Sequence, residues 1–295
     1  MYLDGPRISK PVTERTFADR WILSRLNSTI RTVASELDAY RFDRAASALY
    51  HFIWHEYCDW YLELIKPALQ NSAHPDGPTT RQTLVESLET TMRLLHPFMP
   101  FITEEIWQTI PHEGESIVIQ RYPIPNDAWD APDAEQRFVL LEQAVSLVRT
   151  GRVLLNYPPG QQVEYGVAHD DPATQEQLRR LEAHLAHLSR GTPAIAGQSA
   201  WPQAQRLRLV SEGLTIGLAV SGEVDLKKAL DRLVKQREEQ EKDIARLTGK
   251  LDNQEFVAKA PAEVLTEHRT RLRRLQHDQA MLASSEQQLR ALLGA

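Results

Sequence analysis

The chain has 295 residues but a single cysteine, Cys58, so it cannot form an internal disulfide or a zinc site built on several cysteines. No apolar run approaches the roughly 20 residues that a membrane-spanning helix needs. The N-terminus MYLDGPRISK also has no apolar signal core. These absences predict a cytoplasmic protein with no membrane partner.

Motifs that cradle phosphates or activate nucleophiles are absent as well. The sequence contains no G-x-G-x-x-G turn, no phosphate loop and no G-x-S-x-G elbow. His51 and His55 share a helix face, but a zinc-protease helix needs Glu directly after the first histidine, and Phe52 stands there. We therefore predict no catalytic residue, no metal site and no cofactor in this chain.

The first half of the chain has the spacing of a helical bundle. Apolar residues recur at helical intervals in five stretches: 16–40, 42–65, 80–96, a short one in ITEEIWQTI after Pro100, and 134–154. The second helix is expected to end at Lys66 and Pro67, because proline disfavours helical conformation in the residue before it.

Aromatic residues crowd the second predicted helix. Such density is typical of a core, but exposed rings could also stack on unpaired bases. Both can hold, because a 3.6-residue period cannot place all the rings on one face. The residues are Tyr50, Phe52, Trp54, Tyr57, Trp60 and Tyr61.

The pattern changes after Tyr157-Pro158-Pro159-Gly160. Residues 161–168 alternate as a half-buried strand, residues 174–190 are helical, and residues 206–210 and 214–220 form a predicted hairpin. A small α/β module therefore follows the bundle.

Two mirrored coiled-coil seams occupy the C-terminal part, which we call the arm. Folding back at Val257 and Ala258 pairs Arg237 with Gln279, and at roughly 1.5 Å per residue the hairpin projects about 40 Å. The first seam is Leu226, Leu230, Leu233, Arg237, Gln240, Ile244, Leu247 and Leu251, and the second is Leu265, His268, Leu272, Leu275, Gln279, Leu282, Glu286, Leu289 and Leu293.

These patterns predict a mainly α fold. We divide it into a helical bundle over 1–156, an α/β module over 157–222 and an antiparallel two-helix coiled coil over 223–295.

Charge is distributed unevenly. The net charge is -6, yet residues 225–295 carry 14 basic and 12 acidic groups. A cluster of basic residues near the outer end of the arm is either a solvated helix face or a surface that binds RNA phosphates. Phe256 in the tip loop either stacks on RNA or caps the coiled coil. The basic residues near the tip are Arg246, Lys250, Lys259, Arg269, Arg271, Arg273 and Arg274.

Several segments resemble one family. ADRWILSRL, YRFDRAASALYHFIWHEYCDWYLELIKP and LLHPFMPFITEEIWQ are similar to the anticodon-binding bundle of bacterial-type valyl-tRNA synthetases. VRTGRVLLNYPPGQQVE resembles that family's arginine-rich helix followed by Pro-Pro, and GKLDNQEFVAKAPAEVL resembles the tip of its coiled-coil arm.

The resemblance implies that the bundle binds the anticodon region of a tRNA, specific for valine, and that the arm binds the tRNA elbow. The family's ATP-binding and editing domains precede this region, and neither their His-x-Gly-His motif nor their Lys-Met-Ser-Lys-Ser loop occurs here. We expect this C-terminal piece not to activate valine alone, since ATP and magnesium belong to the catalytic domain. The expected tRNA contacts are Arg246, Lys250, Phe256, Lys259, Arg269, Arg271, Arg273 and Arg274 on the arm, and Arg41, Arg44, Arg149 and Arg152 on the bundle.

Two alternatives remain open. Sister class I synthetases share the bundle, but the isoleucine enzymes usually end in a cysteine-rich zinc module and the leucine enzymes lack this kind of arm. The arm could instead be a protein-interaction or oligomerisation module, because polar seam residues weaken the seam and can fix its register. We expect a monomer that binds tRNA and not DNA.

Overall fold

The computed structural model describes residues 14–197, 201, 206–220, 226–253, 256, 258, 260 and 262–293. The chain clusters into two compact units, Met1–Val139 and Leu140–Ala295, and each is described by itself. Helices dominate, with a small sheet in the second unit, so the predicted mainly α fold class is confirmed. Within the residues just given, no helix has an apolar stretch long enough to cross a bilayer.

The first unit is a helical bundle. The first helix, α1 (Phe17–Asp38), begins where the Thr16 hydroxyl accepts a hydrogen bond from the Asp19 backbone N–H. The Trp21 ring of α1 is buried and stacks on the Phe138 ring, with centroids 3.7 Å apart. The elements are α1 (Phe17–Asp38), α2 (Phe42–His51), a π-helical segment (Phe52–Tyr61), α3 (Leu62–Gln70), α4 (Gly77–Leu95), α5 (Pro100–Thr109), two short 3-10 turns (Ile117–Ile119 and Asp127–Trp129) and the start of α6 (Pro132–Leu154).

The helix expected over residues 42–65 does not end at Lys66 and Pro67. It continues through the π-helical segment into α3, and Pro67 lies inside α3. Proline costs a backbone hydrogen bond, but Leu69 beyond it is buried, so packing outweighs that loss. The sequence prediction of this end was wrong.

A buried carboxylate joins three elements of the bundle. Asp19 accepts hydrogen bonds from the hydroxyls of Thr16 at 2.8 Å, Tyr61 at 2.9 Å and Thr80 at 2.9 Å. Burial raises the pKa of Asp19, while these hydrogen bonds act in the opposite direction. The network fixes how the π-helical segment and α4 are rotated against α1.

The second unit combines a sheet with the arm helices. β1 (Val163–His169) pairs in parallel with β2 (Gly191–Ile195) and antiparallel with β4 (Leu214–Ala219). β4 also pairs antiparallel with β3 (Arg206–Ser211). The predicted strand and hairpin are confirmed, whereas the helix expected over 174–190 is interrupted at Leu181. After the rest of α6 come β1 (Val163–His169), α7 (Pro172–Arg180), α8 (Glu182–Ser189), β2 (Gly191–Ile195), β3 (Arg206–Ser211), β4 (Leu214–Ala219), α9 (Leu226–Asp252) and α10 (Ala262–Leu293).

β2 was not predicted from the sequence. Pro193 lies in its middle, and proline cannot donate to a strand ladder, so the pattern argued against a strand. The strand order is β2-β1-β4-β3, which places β2 at an edge of the sheet. At an edge the missing N–H can face away from the neighbouring strand, so proline is tolerated.

Two glycines let a tryptophan lie on the sheet. Gly166 on β1 pairs with Gly217 on β4. A Cβ at Gly166 would lie 2.3 Å from the Trp201 ring, and one at Gly217 would lie 2.6 Å from it. The Trp201 indole N–H donates to the Ala196 carbonyl at 3.0 Å. Any larger residue at either glycine would displace the ring.

α9 and α10 form the predicted antiparallel hairpin, but in another register. Arg237 Nη1 lies 2.8 Å from Glu286 Oε2, and Gln279 donates to Glu241 at 3.3 Å. The predicted pairing of Arg237 with Gln279 was therefore wrong. Glu286 lies one heptad beyond Gln279, so the shift keeps the seam pattern and places opposite charges together.

The base of the arm packs on the sheet. The Arg208 backbone N–H of β3 donates to Gln288 Oε1 of α10 at 2.7 Å, and Arg232 of α9 donates to Asn156. α6 and the arm also line a common cleft that includes Gln240 and Arg274. α9 has 27 residues and is about 40 Å long, which matches the predicted length. The part of the hairpin beyond these contacts is its free part.

The three-part division at residues 156 and 222 stays a prediction. The compact units meet at Val139 and Leu140, within α6. Because the sheet and the base of the arm contact each other, they fall into one unit.

Candidate nucleic-acid interface

Five exposed cations, which we call the tip cations, surround the outer part of the arm. Arg246 forms an ion pair with Asp243 at 2.9 Å, but its side chain is 63% exposed. Such a pair is weak and leaves the guanidinium accessible. Lys259, also predicted as a contact, lies outside the described residues. The tip cations are Arg246, Lys250, Arg269, Arg271 and Arg273.

Phe256 packs on the arm itself. Its ring stacks on the His268 ring, with centroids 5.9 Å apart and planes 16° from parallel. Its backbone N–H donates to Asn253 Oδ1 at 3.2 Å, and its carbonyl accepts from the Ala260 N–H at 2.8 Å. This is the capping alternative considered from the sequence, and a tRNA contact by Phe256 stays a prediction.

Arg274 follows the tip cation Arg273 on α10. It lines a cleft of about 530 Å³ between the arm, α6 and the β3–β4 turn. Glu142 and Glu212 line the same cleft, and Gln143 donates to Glu212 at 2.8 Å. Arg274 therefore shares this cleft with carboxylates of its own unit, and its contact with tRNA stays a prediction.

Arg152, predicted to contact tRNA, is buried instead. Its guanidinium donates to the Ser189 carbonyl at 3.3 Å and the Pro158 carbonyl at 2.8 Å. These hydrogen bonds hold the Tyr157–Gly160 turn against the end of α8. The structure gives Arg152 this structural role in place of the predicted contact, because its donors face protein carbonyls.

The other bundle candidates are exposed. Arg41 precedes α2 and forms an ion pair with Glu36 at 2.7 Å. Arg44 lies on the exposed side of α2, and Arg149 lies on the exposed side of α6. Their contacts with tRNA stay predictions.

The aromatic stretch of the bundle divides between core and surface. Phe52, Tyr57 and Tyr61 are buried, whereas Tyr50 is 61% and Trp54 54% exposed. The stretch therefore contains both core rings and exposed rings, and stacking of bases on the exposed rings stays a prediction.

Two exposed histidines join the exposed rings. The Tyr50 and Trp54 rings are parallel within 3° with centroids 6.3 Å apart. The His55 ring lies 5.9 Å from Tyr50 and 5.4 Å from the His51 ring. We call Tyr50, His51, Trp54 and His55 the aromatic platform. Sequence reasoning missed the histidines as part of it, because their spacing was considered only for metal binding.

Two family models match this chain. Residues 19–167, half of the chain, match the model described as the anticodon-binding domain of tRNA ligase. This chain belongs to that family of anticodon-binding domains. Residues 225–290 match the model described as the valyl tRNA synthetase tRNA binding arm. The family inferred from the sequence resemblance is confirmed.

Relatives of this chain include several valine–tRNA ligases. The one from Carboxydothermus hydrogenoformans is 41% identical over 259 residues, which is 88% of this chain and 29% of that protein. Those of Bacillus subtilis and Enterococcus faecalis are 38% and 33% identical, over 87% and 95% of this chain. The chain spans 29% and 32% of the length of these two relatives.

The matched ranges divide the candidate residues into two groups. The anticodon-binding match contains Arg41, Arg44 and the aromatic platform, and the arm match contains the tip cations. Residues 168–224, with most of the sheet, lie between the two matched ranges. The two candidate surfaces therefore belong to two separately matched regions.

Proposed function

We propose that this chain is the tRNA-binding C-terminal region of a valine–tRNA ligase. In this proposal the bundle binds the anticodon region and the arm binds the tRNA elbow. The observation that carries it is the presence, in one chain, of an anticodon-binding match and a matched tRNA-binding arm with exposed cations.

The shape of the arm supports this division of work. Its free part is a thin two-helix rod, so the tip cations can contact phosphates but cannot enclose a base. Phosphate contacts position a nucleic acid and make affinity depend on salt, while they carry little sequence information. Holding a tRNA at two distant points would place its acceptor end reproducibly for catalysis elsewhere.

The chemistry of valylation is assigned to another region. This sequence has neither the His-x-Gly-His motif nor the Lys-Met-Ser-Lys-Ser loop, so we propose that ATP and magnesium act in a catalytic domain outside it. In a valine-dependent ATP–pyrophosphate exchange assay, the chain alone should give no signal above background. A clear valine-dependent signal would contradict this assignment.

A tRNA titration tests the main proposal. The chain should bind valine tRNA in a filter-binding assay, with affinity that falls as salt rises. Absence of binding at low salt would refute the proposal.

Light scattering tests the competing oligomerisation hypothesis. We propose a monomer, because the polar seam residues Arg237 and Glu286 form an ion pair within one hairpin. A dimer that depends on concentration, and that forms through the arm, would favour the alternative.

A further inference from the structure

The aromatic platform is a cluster of four exposed rings. Tyr50 and Trp54 are each more than half exposed. The His51 side chain is 63% and the His55 side chain 50% exposed. Clustered exposed apolar surface is uncommon on a protein surface unless it binds something.

Ring geometry favours flat ligands. Tyr50 and Trp54 lie one helical turn apart with nearly parallel planes, so their faces are presented in one orientation. The two histidine rings border them through tilted and edge contacts. Tyr, Trp and His are the side chains on which unpaired bases stack in protein–RNA complexes.

The charges around the platform favour contacts with bases over contacts with phosphates. His51 lies 3.6 Å from Glu56, and His55 lies 3.4 Å from Asp59. Glu56 is largely buried and pairs with Arg25 at 2.8 Å, whereas the Asp59 side chain is 53% exposed. The Asp59 carboxylate repels phosphates, but it can accept hydrogen bonds from the amino and imino groups on base edges. Arg44 is exposed seven residues before His51, on the same side of the helix, where it can pair with the backbone at the platform's edge.

We infer that the aromatic platform stacks on unpaired bases of the tRNA anticodon loop, with Tyr50 and Trp54 as the stacking rings. The inference rests on the proposed function, because it requires the bundle to face that loop. It adds the identity of the stacking residues and the kind of contact, which is to base faces rather than to phosphates.

The test compares two forms of full-length valine tRNA, one intact and one with abasic nucleotides throughout the anticodon loop. The abasic form keeps the phosphates and the elbow, so the arm contributes equally to both. A stacked base is worth at least about fivefold in affinity. The double variant Tyr50→Ala/Trp54→Ala should therefore lose at least about fivefold affinity for the intact tRNA and almost none for the abasic one.

Two control variants sharpen the comparison. Tyr50→Phe/Trp54→Phe keeps both ring faces and should bind the intact tRNA within about twofold of the unaltered chain. Phe101→Ala removes another ring, 90% exposed on α5, and should change nothing. All three positions are at the surface, and thermal unfolding of each variant verifies its fold.

The outcomes distinguish this inference from the proposed function. If the double alanine variant binds intact tRNA as well as the unaltered chain does, the platform is not the stacking surface and the proposed function stands. An equal loss on intact and abasic tRNA, or an equal loss in Phe101→Ala, also overturns the inference. If the unaltered chain binds neither tRNA, the proposed function itself fails.

Discussion

Removing two tip cations should change the salt dependence of tRNA binding by a calculable amount. Arg269 and Arg271 are exposed and flank the seam of α10. Each phosphate contact adds about 0.9 to the slope of log affinity against log salt, so Arg269→Ala/Arg271→Ala should lower the slope by about 1.8. Between about 50 and 200 mM salt, the affinity lost by the variant should then shrink about twelvefold.

The assay is a filter-binding titration of valine tRNA at several salt concentrations. Lys227→Ala/Lys235→Ala is the matched control, since it removes the same charge from exposed positions at the base of α9. A tRNA for another amino acid should be weakened equally, because phosphates carry no sequence information. Equal slopes for the unaltered chain and the tip variant, or an equal reduction in the control, would refute the reasoning.

Three further predictions concern stability. Glu286→Ala leaves Arg237 without its carboxylate across the seam and should lower the free energy of urea unfolding by about 1–3 kcal/mol. Adding Arg237→Leu should restore part of this stability, and strictly additive losses would contradict coupling of the two residues. Gly166→Ala forces the Trp201 ring away and should cost about 1–3 kcal/mol in guanidinium unfolding, whereas unchanged stability would mean that the ring relaxes freely. Burial lowers the pKa of His184 from 6.5 to about 4. As pH falls, this histidine is therefore protonated in the unfolded protein before it is protonated in the folded protein. The free energy of unfolding should decrease as pH drops from about 6.5 towards 4. In His184→Leu this fall should be smaller by about 1–3 kcal/mol, and identical pH profiles would refute the assignment.

The sequence determined the arm's hairpin but not its register. A heptad pattern is unchanged by a shift of seven residues, so apolar spacing alone cannot distinguish Gln279 from Glu286 as the partner of Arg237. Charge could have distinguished them, because of these two residues only Glu286 can form an ion pair with Arg237. Requiring opposite charges to face each other across the seam predicts the pairing of Arg237 with Glu286.

The sequence predicted which kinds of residue could bind tRNA, but not whether their side chains face solvent or the protein interior. Arg152 and Arg149 lie on the same helix and differ in burial, and only the fold shows that Arg152 faces the carbonyls of Ser189 and Pro158. The exposed side of α2 and of the π-helical segment after it could have been predicted from the sequence. Tyr50 and Trp54 are four residues apart, and Phe52 between them marks the buried side.

The base of the arm packs against the sheet, whereas its tip is the proposed RNA-binding part. This difference determines which experiments can measure RNA binding by the arm. Removing residues 225–295 would uncover β3, whose Arg208 backbone N–H donates to Gln288, and would expose the buried Leu233 and Leu289. The second unit would lose part of its own packing, so a fall in tRNA affinity could come from a damaged sheet. Substitutions confined to the tip cations leave those contacts intact. They are therefore the appropriate measure of what the arm contributes to RNA binding.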